Sequence, residues 1–116
     1  MTASIPNLAS FEISSNSVMT YREFMDSIHD EDLPEGLNTL CQSLWYDFKG
    51  DWKKAHDLVD SLPGRDAAWV HAYLHRKEGD IWNADYWYRQ AKKARPNLSL
   101  QDEWIALTKA LFDIET

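Results

Sequence analysis

A single cysteine, Cys41, stands among 116 residues, so the chain can build neither an intrachain disulfide framework nor a cysteine zinc site. Glycine and proline number four each, too few turn-formers for a sandwich of many short strands. No apolar run approaches the length of a membrane span. Residues 1–10 lack the basic start and apolar stretch of a secretory signal. A basic stripe able to displace counterions from a phosphate backbone is missing too. These absences set the expectation of a reduced, cytoplasmic protein whose partners include neither nucleic acid nor membrane.

What is present is apolar and aromatic. The hydrophobic fraction is 44%, with six Trp, five Tyr and four Phe, enough to bury a core within one ordinary domain. The net charge of −7 is unevenly spread. Residues 1–48 hold one base, Arg22, against eight acids, while residues 49–116 carry 11 of each sign and sum to zero. The Lys92-Lys93-Ala94-Arg95 cluster sits where a helix is ending, and cations there complement the helix dipole.

The apolar positions recur at helical spacing through most of the chain. Residues 1–17, rich in Ser and Asn, read as a loose arm laid over the core through Phe11 and Ile13. Thr20 with Glu23 has the reciprocal spacing of a capping box, and Tyr21, Phe24, Met25 and Ile28 follow as one helical face. Pro34 suits the first turn of a second helix, whose stripe is Leu37, Leu40, Cys41, Leu44, Trp45 and Phe48. Gly50 then closes that helix and Asp51 caps the next, which runs to about Leu62. The same grammar returns. Residues 65–78 form a helix, Gly79-Asp80 is a second stop and start, and Ile81, Ala84, Trp87, Tyr88 and Ala91 line the helix that Pro96 ends. A last helix starts near Ser99, with Asp102 helping to cap it and Leu100, Trp104, Leu107 and Leu111 as its stripe.

The two Gly-Asp pairs lie 29 residues apart. Under that offset Asp51 matches Asp80 and Ala55 matches Ala84. Ala84-x3-Tyr88, followed by Ala91 and Pro96, resembles the second helix of tetratricopeptide repeats. Small Ala lets two helices approach, and the aromatic four positions on fills the space beside it. The family's first-helix signature is mostly replaced: Thr39, Gln42, Ser43 and Tyr46 stand at those places in one unit, Ala68, His71, Ala72 and His75 in the other. The likeness spans roughly residues 36–96. The run over residues 67–80 is also similar to small uncharacterised bacterial proteins of this shape, which speaks to fold alone. The resemblance implies an all-α protein: two tetratricopeptide-like antiparallel hairpins, flanked by capping helices at Thr20 and Ser99, in one domain over residues 18–116. In that family the stripe matching Trp69, Tyr73 and Arg76 lines a concave groove that holds peptides, with Asp66 and Lys77 at its edges here.

Two kinds of chemistry are legible in the helix over residues 65–78. The groove stripe carries an aromatic pair beside an Arg, a composition favoured at binding hot spots, although Trp69 and Tyr73 also suit simple packing on the first hairpin. On another stripe His71, His75 and Glu78 stand four and three residues apart, a spacing two imidazoles and a carboxylate use to hold a metal. His56 is the plausible histidine to join them. The Glu that the metalloprotease helix motif sets beside its first His is absent, and buried histidines bonded to Asp or Tyr would give the same pattern. Trp82 and Tyr86 point away from Ala84, suited to docking the last helix or a second copy. Cys41 reads as an inert small hydrophobe.

The expected function is a non-catalytic interaction module with no cofactor, engaging a protein or peptide partner, a small ligand or itself. The alternative is a metal-dependent or other enzyme centred on His71, His75 and Glu78, with His56 in support.

Overall fold

The structure, a computed structural model, describes residues 19–113. Among the described residues every regular element is helical, as the periodicity requires: α1 (Tyr21–Ser27), α2 (Thr39–Phe48), α3 (Trp52–Val59), α4 (Arg65–Glu78), α5 (Ile81–Gln90) and α6 (Leu100–Leu111). No helix there is long and apolar enough to cross a membrane. The arm expected over residues 1–17, with Phe11 and Ile13, lies outside the described residues. The chain divides between Leu37 and Asn38 into two compact units.

In the first unit, the capping box at α1 is complete. Thr20 N–H donates to Glu23 Oε1 at 2.9 Å, and Glu23 N–H donates to Thr20 Oγ1 at 3.1 Å. That pairing satisfies two otherwise orphaned donors and starts a helix that buries Phe24 and Ser27.

In the second unit, α2 begins at Thr39 rather than at Pro34. Gly36 takes φ 90, which no helix accepts, and Asn38 caps instead, accepting from Cys41 N–H at 2.9 Å. Helix α3 ends at Val59, three residues short of Leu62, which is left 36% exposed. The buried stripe of α2 also differs by one position from the expected one. Phe48 is 49% exposed while Asp47 is buried at 2%.

Both Gly-Asp junctions close their helices as read. Gly50 and Gly79 adopt φ 88 and φ 91. Asp51 N–H donates to Tyr46 O and Asp80 N–H to His75 O, both at 2.9 Å, so each glycine turn returns two N–H groups to the last helical turn. The helices on either side pack on each other, α2 on α3 and α4 on α5, while α6 packs on α4 and α2. A Cβ at Gly79 would meet nothing, so only backbone strain opposes a side chain there. Gly79→Ala will therefore cost about 1–2 kcal/mol in urea or thermal denaturation. An unchanged midpoint would mean that the junction closes without a left-handed residue.

Helix α5 ends at Gln90, well before Pro96, and Lys92 closes it with φ 61 although it is not glycine. Ala72, Ala84 and Tyr88 form a core cluster, with Trp69 and Trp87 packed against it. Close Ala-to-Ala approach with an aromatic filling the flank is the shape logic that the Ala84-x3-Tyr88 spacing implied.

Candidate metal centre

Helix α3 is short and strongly two-sided. Asp51 caps it by accepting from Lys54 N–H at 3.1 Å, and Ala55 and Val59 go to the core. His56, next to Ala55, is thereby turned toward the neighbouring helix α4. Trp52 fixes that approach, donating its indole Nε1–H to Leu74 O of α4 at 2.7 Å. On α4, Ala67, Ala68, Val70, Ala72 and Leu74 are buried, and His71 is carried in among them with 3% exposure.

The result brings three histidines together. His56 Nε2 and His71 Nε2 are 3.0 Å apart, and one ring nitrogen from each of His56, His71 and His75 lies within 4.8 Å of the others. The cluster is walled by indoles: Trp52 stacks on His56 at 4.9 Å and Trp87 on His71 at 4.0 Å. His71 and His75, one helical turn apart, stack at 4.9 Å. The side chain of His75 is 11% exposed and that of His56 19%, so the cluster is nearly closed.

Carboxylates surround the rings. His75 Nδ1 is 2.7 Å from Glu78 Oε2, and His56 Nδ1 is 4.0 Å from Asp57 Oδ1. Asp60 Oδ1 is 3.8 Å from His71 Nε2 and 4.0 Å from His56 Nε2. Burial, with the neighbouring His56 and His75 adding to it, pushes His71 down from 6.5 to about 4, against a weaker opposing pull from Asp60. His71 is therefore neutral at pH 7, the form in which imidazole binds a metal.

The structure unites His71, His75 and Glu78 with His56, the four residues set aside for metal, but gives Glu78 a different post. Its carboxylate Oε2 lies 2.7 Å from His75 Nδ1, bonded to that ring as a neighbour. A second grouping, His75 with Glu78 and Asp80, also comes within 4.8 Å. There Asp80 is already engaged, bonding Asn83 Nδ2 at 2.7 Å and capping α5.

The groove residues are committed elsewhere. Tyr73 is 3% exposed and donates its hydroxyl to Asp47 Oδ2 at 2.8 Å. Lys77 Nζ donates to Asp47 Oδ1 at 2.9 Å. Arg76 Nη1 donates to Glu103 Oε1 at 2.7 Å, and its Nη2 donates to Leu98 O. Trp69 Nε1–H donates to Glu103 Oε2 at 3.1 Å, with Lys93 Nζ over its ring at 4.1 Å. Asp66 stands exposed in the first turn of α4. Within the stripe Tyr73 is buried, Trp69 and Arg76 are half-buried, and Asp66 and Lys77 are exposed.

Trp82 is 77% exposed and Tyr86 40%, so the outer face of α5 is not where α6 docks. Cys41 is 2% exposed, and burial pushes its thiol up to about 11, which keeps it protonated and inert.

Sequence reasoning overlooked Asp47 and Glu103, which are 2% and 0% exposed. The signal was available. Asp47 follows Leu44 by three positions on the core face of α2, and Glu103 stands between Leu100 and Leu107 at the same kind of spacing.

Comparison with protein-family profiles, curated proteins and solved structures returned no match.

Proposed function

We propose that this protein binds one divalent transition metal ion, of the zinc class, between α3 and α4 through His56, His71 and His75. The observation that carries this reading is the convergence of the three ring nitrogens within 4.8 Å in a nearly enclosed, aromatic-walled cluster. Two nitrogens bound at about 2.0–2.1 Å to a tetrahedral zinc stand roughly 3.4 Å apart. The 3.0 Å between His56 Nε2 and His71 Nε2 is already close to that spacing, and a ring nitrogen of His75 lies within 4.8 Å of both. Imidazole donors suit zinc, copper and nickel over calcium or magnesium.

The carboxylate bonded to His75 is the second support. A metal-ligating histidine commonly donates its other N–H to a carboxylate, which selects the tautomer and raises ligand basicity. Glu78 is so disposed at 2.7 Å. The interaction-module reading has less support, because Tyr73, Arg76 and Lys77 spend their polar atoms on Asp47 and Glu103.

Metal analysis and competitive Zn2+ titration of the untagged chain test the proposal. One equivalent per chain is expected. His75→Ala will lower affinity at least 100-fold, more than the ~10–100-fold expected for Glu78→Gln, which removes only the outer partner. A wild-type chain that takes up no zinc, copper or nickel would sink it, leaving the histidines as a neutral hydrogen-bonded stack.

A further inference from the structure

The geometry points to Asp60 as a fourth ligand, closing the site into a four-coordinate clamp that ties α3 to α4; this rests on the three-histidine reading above. His56 and Asp60 are four residues apart at the end of α3, and His71 and His75 are four apart on α4. Positions four apart share one face of a helix. Two such pairs on helices packed against each other offer four donors, two from each wall, with Asp60 near His56 and His71 and the three histidines mutually close.

Asp60, and not its neighbour Asp57, is free for this task. Asp57 Oδ2 is taken by Lys53 Nζ at 2.9 Å. The ionic contacts of Asp60 among the described residues are both with the histidines: Oδ1 is 3.8 Å from His71 Nε2 and 4.0 Å from His56 Nε2. Those separations sit a few tenths of an ångström beyond the roughly 3.3–3.5 Å between ligand atoms of one tetrahedral ion. The Asp60 side chain is 62% exposed, so little packing resists the rotation that would close the gap.

Asp60 is also poorly placed for the helix alone. It forms the C-cap of α3, donating its N–H to His56 O at 2.9 Å. The C-terminal end of a helix carries partial negative charge and favours cations. A carboxylate beside those carbonyls is locally unfavourable unless a cation joins it, and an ion held by the three imidazoles supplies one. A site with four protein donors keeps no exchangeable position, the arrangement of a structural metal and not of a catalytic one. The ion then acts on the fold, locking the contact between α3 and α4.

Cobalt(II) titration of the untagged full chain separates the outcomes. The wild-type protein is expected to show the intense visible bands of four-coordinate cobalt, and a thermal midpoint raised by the metal. Asp60→Asn will weaken those bands and lower Zn2+ affinity at least 10-fold, whereas Asp57→Asn will change affinity less than that. Circular dichroism checks that both variants remain helical, as their exposure leads one to expect. Should Asp60→Asn bind with unchanged affinity and spectrum, or should the wild type give only weak five- or six-coordinate bands, the closed clamp is overturned while the three-histidine site stands. Should the wild type bind neither cobalt nor zinc, both fall together.

Discussion

Replacing Glu103 with alanine will cost about 3–5 kcal/mol of folding stability, the range for removing one partner of a buried ion pair. The carboxylate is 0% exposed and accepts three hydrogen bonds from two other helices. Trp69 Nε1 and Arg76 Nη1 of α4 reach it at 3.1 and 2.7 Å, and Tyr88 Oη of α5 at 2.6 Å. Removing Glu103 takes its carboxylate from a guanidinium whose side chain is only 17% exposed, from the buried Tyr88 hydroxyl and from the half-buried Trp69 indole. Since whole domains of this size are stable by about 5–15 kcal/mol, the loss is a large share of the total. The thermal midpoint will fall by roughly 10–20 °C. Asp47→Ala is the useful contrast. It also leaves a buried tyrosine hydroxyl without its acceptor, but Lys77 is 38% exposed and turns to water, so the cost is smaller. Equal losses for the two variants would show that burial of the cation is not what sets the scale. A Glu103→Ala cost under about 1 kcal/mol would show that the donors find new partners.

The second large effect is on pH dependence. In metal-free protein, His71 holds its proton only below about 4 when folded but near 6.5 when unfolded. Between those values the unfolded chain binds more protons, so stability falls as pH drops from 6.5 to 4 and this contribution levels off below that. The groups facing the ring are His56, His75 and Asp60. With the ring 3% exposed, solvent screening takes little away, and the separation corresponds to about 3 kcal/mol across the window. Urea denaturation of chelator-treated protein at pH 7, 5.5 and 4 will show that decline. His71→Phe will flatten it in the same window. A decline of equal size in His71→Phe would assign it to carboxylates elsewhere. Bound metal will steepen the acid loss, because protons compete for the same nitrogens.

Several elements were legible because their causes are local. Thr20 with Glu23, Gly50 with Asp51, and Gly79 with Asp80 act through bonds spanning five residues or fewer, and each does in the structure what its spacing implies. The limits of α4 followed for the same reason, with Pro63-Gly64 before it and Gly79 after. Local rules failed where a residue did an uncharacteristic job. Lys92 closes α5 with φ 61, a role the pattern reserves for glycine, and Asp47 takes the core position that apolarity gave to Phe48.

Helix number and the glycine junctions were thus written in short-range periodicity and backbone preference, which need no knowledge of the rest of the chain. Which faces would be covered was not. Tyr73 finds Asp47 26 positions away, Trp69 finds Glu103 34 away, and His71 meets His56 15 away. Helix packing alone made those meetings. It tied Tyr73, Arg76 and Lys77 to two acidic side chains of other helices, and it drew His56 from a separate helix to the pair on α4. A buried charge or a ring nitrogen gains its role from whichever partner tertiary contact delivers, and spacing along one helix carries no record of that partner.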